Sequence, residues 1–570
     1  MNRRVVAAIV VAGACTCVSA AAQRPSLADL KTTAEASNYK STSTYDDVVK
    51  FMKAVDDASP NVFYLTYGTT DEGRAMPMAV VGTGLKDATP ASVKATGKLR
   101  VHIQANIHAG EVEGKESAQM LLRDLALGRH DDWLQSTVFL ITPIFNADGN
   151  EKFALTNRQR QNGPVNGMGT RPNAQGLNIN RDFMKLDTPE ARAFVKLWND
   201  YDPHVGFDLH TSNGSFHGYY LTYSPPLNPN TSDAIMRIMT GEWFPFVTRT
   251  IKSAHGWDTY YYGNASTPGG RGGRGRGAAP QPAAGSGAGQ TELPRSPASA
   301  QPPVPPPAAA ADAPAAPREW RTFEHVPRFH NNYVGLRNRF GLLSEAYAYA
   351  TFEDRIKATN DFLEAALTFA HQNAARLKAA TAAADRERLV GTLEATSAKL
   401  KRGGMVEILM GEVEPETNPN NGAVMNRRKD VTHPEQMVDE RWFEPATTET
   451  VPSAYYVPAD ATKAIGLLEA HGIRLRPVRA AVRGLEQFAI DSNTTAQKFE
   501  GHQMRHLEGK WSASAAVAPA GSLEVSMTQP LARLAFYLIE PASDDGLVTW
   551  NVLDDRLGPE VKTYPILRKR

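Results

Sequence analysis

Two short stretches of this 570-residue chain carry side chains that could hold a metal ion, His108-Ala109-Gly110-Glu111 and Asp208-Leu209-His210. Each stands at the end of an apolar run, Leu99 to Ile107 and Val205 to Leu209, which reads as a strand. A strand end fixes one ligand, and a tight turn brings a second back beside it three residues later. Taken alone, His-x-x-Glu is common by chance and reads as a surface histidine followed by a helix-start glutamate. The second strand end changes that reading, because open α/β sheets bind ligands beyond the carboxyl ends of their strands. Two imidazoles and one carboxylate leave a fourth position for water, a donor set zinc takes in catalytic sites. Sulfur is excluded: the two cysteines, Cys15 and Cys17, lie in the first twenty residues, so no thiolate metal site, catalytic cysteine or disulfide framework is expected in the body of the chain. No His-Glu-x-x-His or Gly-x-Ser-x-Gly motif is present, which disfavours the common metalloendopeptidase and serine-hydrolase chemistries.

Further motifs follow in order: Asn146-Ala147-Asp148-Gly149, Asn180-Arg181-Asp182-Phe183, and Glu345 in Leu342-Leu343-Ser344-Glu345. Together with His108-x-x-Glu111 and His210, these resemble the zinc carboxypeptidases related to carboxypeptidase A, over roughly residues 40–370 apart from a low-complexity insertion. The resemblance implies one zinc ion held by His108, Glu111 and His210. It implies that Glu345 is the general base that activates the hydrolytic water and returns the proton to the leaving amine. Asn180 and Arg181 match the pair that grips the free C-terminal carboxylate of a substrate, a task suited to a guanidinium fork. The oxyanion-stabilising arginine falls on Arg158 or Arg160, with Arg158 preferred. Where the family commonly has an aspartate behind the first zinc histidine, this chain has Asn178. The substrate-capping tyrosine is one of Tyr260, Tyr261, Tyr262 and Tyr333, and the family's side-chain selectivity residue lies in the same stretch. The implied activity is hydrolysis of the C-terminal peptide bond of peptides or proteins. Cell-wall peptides or side-chain amides are an alternative substrate class, and a zinc-stabilised binding protein is the non-enzyme reading. Glu113 and Glu116 are expected on the solvent face of a helix. His204, His217, His433 and His471 are expected to be packing or surface histidines, with His217 near enough to the site to touch substrate.

The elements that must position these residues read as an α/β domain with a mixed β-sheet flanked by helices, the zinc carboxypeptidase-like fold. Helices are predicted over Tyr45–Val55, Glu113–Leu127 and from the start at Thr188-Pro189-Glu190 to the stop at Asp202-Pro203, where Ala191, Phe194, Val195 and Trp198 share a face. Strands are predicted over 99–107, 137–145, 205–209 and 340–346. A helical pattern is expected from Tyr349 to about Lys401. Residues 267–317, rich in Gly, Ala, Pro and Gln, cannot bury a core and are expected to be a disordered insertion. Gly270-Arg271-Gly272-Gly273-Arg274-Gly275 within it matches a dinucleotide-binding glycine pattern in form only, since no strand precedes it and no helix follows. The expected organisation is a signal peptide over 1–22, a catalytic domain over 23–402, and a smaller, mostly β domain over 405–570 with one helix at Thr462–His471.

Composition bounds the rest. With 62 basic and 61 acidic residues the net charge is +1, which gives no electrostatic case for a nucleic-acid partner. Asn2-Arg3-Arg4, an apolar Val5–Ala14 and small residues up to Ala22 have the parts of a secretory signal peptide. Cleavage after Ala22 removes Arg3 and Arg4, leaving 60 basic residues and no cysteine. A secreted or periplasmic enzyme with no stable membrane span is therefore expected, its partners being peptide or protein C-termini.

Overall fold

The computed structural model describes residues 26–212, 214–266 and 317–570. The expected signal peptide and, apart from Pro317, the expected insertion lie outside the described residues. Eight strands form the central sheet: β1 (Val62–Thr69), β2 (Ala75–Val81), β3 (Leu99–Ala105), β4 (Thr137–Thr142), β5 (Val205–Ser212), β6 (Leu221–Ser224), β7 (Thr259–Tyr261) and β8 (Phe340–Tyr347). Their spatial order is β1-β2-β4-β3-β5-β8-β6-β7. The middle four run parallel. β2 adds to them antiparallel and β1 pairs with β2 as a hairpin. On the other side β6 runs antiparallel to β8, with β7 parallel to β6. The parallel strands are buried along nearly their whole length, which is why they read as continuous apolar runs rather than alternating ones.

Helices cover both faces. On one, Tyr45–Ala58 presents Val48, Phe51, Met52 and Val55 to a core shared with Leu122, Phe207 and Phe362. Its first turn is fixed by a reciprocal pair in which Thr44 Oγ1 accepts from the Asp47 N–H and Asp47 accepts from the Thr44 N–H. On the other face, Pro189–Tyr201 starts at Thr188, which caps the Ala191 N–H, and ends at Asp202 in the left-handed region. Its Phe194 and Trp198 pack with Tyr333, and each fully buried aromatic of this kind contributes about 2–3 kcal/mol.

The C-terminal residues are β-rich and pack on this second face. Phe194, Trp198 and Tyr333 share one apolar cluster with Tyr455, Phe488, Phe536 and Trp550. The strands on either side of the insertion, Asn264–Ala265 and Glu319–Arg321, pair with each other, and Glu319–Arg321 also pairs with Val424–Glu440. A long hairpin, Leu485–Phe499 with His502–Ser514, belongs to a six-stranded sheet.

Two expectations about elements need correction, and one pair of strands lies outside the sequence reading. The helical run after Tyr349 ends at Ala384, as helices Phe352–Gln372 and Ala374–Ala384, and Leu393–Lys401 is a strand paired antiparallel with Trp442–Thr450. Its Thr396 and Ser397 hydroxyls bond to Thr447, a partner some fifty residues away that local pattern cannot reveal. A second helix, Ala532–Ile539, is buried along its whole length. The hairpin formed by β1 and β2 escapes a reading based on apolar runs because β1 is mostly half-exposed. Among the described residues no helix is long and apolar enough to cross a membrane.

Candidate functional site

The first ligand turn is built by Asn106, which directly follows β3. Asn106 adopts φ +64°, a left-handed conformation asparagine tolerates. Its amide Nδ2 donates to the carbonyls of Ala109 and Glu111, both at 3.2 Å, while the Glu111 N–H donates to the His108 carbonyl at 2.8 Å. The turn folds His108 and Glu111 onto one side. Gly110 is needed there, because a Cβ would lie 2.6 Å from Arg158 Nε and 2.8 Å from the Gly169 carbonyl. The Asn146 turn supports it from behind: Asn146 Oδ1 accepts from the Gly149 N–H, and its Nδ2 donates to the carbonyls of Ile107, Arg171 and Pro172.

β5 supplies the second set. Alternation along a strand puts Asp208 and His210 on the same face. His108 Nδ1 lies 3.0 Å from Glu111 Oε1, and His210 Nδ1 lies 2.8 Å from Glu111 Oε2. All three residues are buried, and their ligand atoms lie within 4.8 Å of one another. Each imidazole is held from behind through Nε2, His108 by Asn178 Oδ1 at 3.0 Å and His210 by Asp208 Oδ2 at 2.7 Å. Asp208 is in turn held by Gln104 Nε2 at 3.2 Å, from the neighbouring β3. Burial and the nearby Arg171 push the His108 imidazolium down to about 3. Burial works the same way on His210, but the carboxylates of Asp208 and Glu111 outweigh it and raise its pKa well above the ordinary value.

Glu345, on β8, is the register partner of His210. Burial, reinforced by the Glu111 charge, pushes its carboxyl up to about 8, against the opposing pull of His210 and Arg171. Arg158 donates from Nη2 to Glu111 Oε1 at 2.7 Å, whereas Arg160 is exposed at the surface, so only Arg158 of the two reaches the ligand carboxylate. Asn180 Nδ2 lies 3.5 Å from His210 Nε2, and its Oδ1 accepts from the His330 N–H at 3.2 Å. The Arg181 guanidinium stacks on the Phe329 ring, 3.8 Å from its centroid. Among the described residues no carboxylate pairs with it, and burial together with Arg171 pushes its pKa down to about 9. A cation so placed favours an anion from outside.

One residue of the site, Arg171, escapes sequence reasoning. Arg171 Nη1 stands 3.6 Å from Glu111 Oε1 with almost half of its side chain exposed, and its charge acts on Glu345. It lies outside the spacing window that singled out Arg158 and Arg160. Of the four tyrosines, Tyr262 is the one whose hydroxyl is raised by Glu345 as well as by burial. Tyr333 is committed to the core, its hydroxyl 2.8 Å from His471 Nδ1. Tyr260 and Tyr261 flank Arg441. His217 is buried against Tyr347, ring centroids 4.2 Å apart.

Glu113 and Glu116 do not face solvent. Glu116 accepts from Thr42 Oγ1, Ser43 N and Ser43 Oγ at 2.7–3.0 Å. Glu113 accepts from Thr211 Oγ1 and pairs with buried Arg355 at 3.3 Å. Their partners lie far away in the sequence, so helical periodicity alone misplaces them.

Residues 48–281 match the family model described as zinc carboxypeptidase. That stretch contains His108, Glu111, Arg158, Asn180, Arg181 and His210, and Glu345 lies beyond it. Carboxypeptidase 2 of Trichophyton rubrum is 28% identical over 145 residues, 25% of this chain and 23% of that protein. Carboxypeptidase 2 of Trichophyton tonsurans is 28% identical over 155 residues, 26% of this chain and 25% of that protein. The chain thus spans about a quarter of the length of the curated relatives it matches. Among solved structures, a metallo-carboxypeptidase from Burkholderia cenocepacia aligns at a TM-score of 0.37 and 18% identity, over 58% of this chain and 70% of that one. Residues 48–281, less than half of the chain, are thus similar to the zinc carboxypeptidase family.

Proposed function

We propose that the protein is an exported, zinc-dependent carboxypeptidase that hydrolyses the C-terminal peptide bond of peptides or proteins. Export rests on the charge and apolar pattern of residues 1–22. The activity rests above all on one juxtaposition: a sulfur-free cluster of two imidazoles and a carboxylate, beside a guanidinium that pairs with no carboxylate among the described residues.

The donor set suits zinc. Both imidazoles turn Nδ1 toward Glu111 while Nε2 is held from behind, so their ring orientation is fixed in advance. His108, Glu111 and His210 would hold a single ion, which when bound supplies Lewis acidity and acidifies water.

The chain's own residues supply the rest. Glu345 takes a proton from the attacking water and gives it to the leaving amine nitrogen; its raised pKa suits the second task. Arg158, with Arg171 beside it, places positive charge where the carbonyl oxygen becomes anionic. Arg181, with Asn180, takes the substrate's terminal carboxylate, and Tyr262 flanks the bond to be cut.

Two peptides identical except for a free or an amidated C-terminus test this reading. The free acid is expected to lose its last residue and the amide to resist. Equal cleavage of both contradicts the role given to Arg181.

A further inference from the structure

The loop that carries Asn180 and Arg181 is touched by a residue more than three hundred positions away. Glu500 sits at the tip of the hairpin formed by Leu485–Phe499 and His502–Ser514, and its Oε2 accepts the Asn178 N–H at 3.0 Å. Glu500 and Gly501 have φ of +45° and +84°. That is the left-handed pair of a tight two-residue hairpin turn, whose first position asparagine, aspartate or glycine ordinarily fills. A glutamate held there is a strained choice, and strain of this kind collects at functional positions.

The tip is docked on both sides. His502 Nε2 lies 2.7 Å from Asp187 Oδ2, at the far end of the same loop. Phe499 and Trp550 face the Arg328 guanidinium, whose charge is met by Asp545 at 2.9 Å. The carboxylates of Glu324 and Glu500 act electrostatically on Arg181, and among the described residues neither forms an ion pair. Glu500 thus brings a negative charge onto the loop that carries Arg181, the guanidinium assigned above to the substrate's terminal carboxylate.

We propose that Glu500, delivered by the C-terminal hairpin, is a specificity-determining residue of this site that favours C-terminal lysine or arginine and disfavours C-terminal glutamate or aspartate. The proposal rests on the carboxypeptidase reading above and extends it: a region outside the family match sets which side chain is released.

The test is kcat/KM for three otherwise identical peptides ending in Lys, Leu and Glu, with the full-length, zinc-loaded protein. Wild type is expected to favour Lys over Glu. Glu500→Gln keeps an oxygen that can accept the Asn178 N–H and removes only the charge. It is expected to lower the Lys-to-Glu ratio by about tenfold, and Glu500→Lys to lower it further. An unchanged ratio, or a uniform fall for all three peptides, overturns the proposal and leaves the tip a structural clamp. Failure of zinc-loaded wild type to release any of the three residues overturns the carboxypeptidase reading itself, and this inference with it.

Discussion

Glu345 and His210 are direct register partners on adjacent parallel strands, so the proposed base and a proposed metal ligand stand side by side on one face of the sheet. The pairing is set by the strand ladder rather than by a loop, and a change at either side chain should leave the frame intact. Glu345→Gln is therefore expected to keep zinc content and the folded state while activity falls by roughly two to four orders of magnitude. Metal analysis alongside the rate assay checks this, and near-normal turnover contradicts the assignment.

The groups behind the two imidazoles differ, an amide for His108 and a carboxylate for His210. Asp208→Asn should weaken zinc binding by roughly 10- to 100-fold, and Asn178→Asp should strengthen it. Competition with a chromogenic chelator reads both. Equal affinities for the three proteins would show that these groups do not tune the metal.

Two arginines are candidates for the proposed oxyanion-stabilising role. Arg158 is fastened to Glu111 at 2.7 Å and Arg171 is more open at 3.6 Å. Arg158→Ala is expected to lower kcat by about 100-fold with little change in KM. A larger kcat loss in Arg171→Ala moves the role to Arg171.

Glu113 and Arg355 form a pair with both side chains at or below 1% exposure. Removing one partner strands the other, so Glu113→Ala should cost about 3–5 kcal/mol. Denaturant unfolding measures it. A loss below about 1 kcal/mol would indicate that the backbone carbonyls around Arg355 suffice to hold its charge.

Docking of the hairpin tip should depend on pH. The hydrogen bond to Asp187 raises the His502 pKa above 6.5, with Asn551 adding to this and burial and Lys185 opposing it. A histidine raised on folding contributes stability that is full below its unfolded value and is lost as pH rises through the folded one. Asp187 is itself held below the ordinary carboxylate value and stays charged across that window. Protection factors at residues 499–502, exchange rates corrected for their intrinsic pH dependence, should be higher at pH 5.5 than at pH 8, and His502→Ala should abolish that difference.

Much of this framework is legible in the sequence because the central strands are buried on both faces and end at chemistry. Leu99 to Ile107 and Val205 to Leu209 announce themselves as apolar runs, and His108 and His210 follow them. The resemblance to the zinc carboxypeptidases implies Asn178 behind His108, and its Oδ1 lies 3.0 Å from the imidazole Nε2. What local pattern could not reach depends on distant partners. Glu113 and Glu116 look solvent-facing until Thr211, Arg355, Thr42 and Ser43 are folded around them. Leu393–Lys401 looks like the tail of an alanine-rich helix until Trp442–Thr450 pairs with it. Arg171 is placed by a loop that Asn146 anchors, and Glu500 arrives from a hairpin in another sheet.

The most direct test of the central claim is mass spectrometry of a mixed pool of linear peptides incubated with the purified protein, with chelator-treated and zinc-restored controls. The account predicts products shortened one residue at a time from the C-terminus, abolished by chelation and recovered with zinc. Internal cleavage, chelator-resistant shortening, or intact peptides in the zinc-replete sample would contradict it.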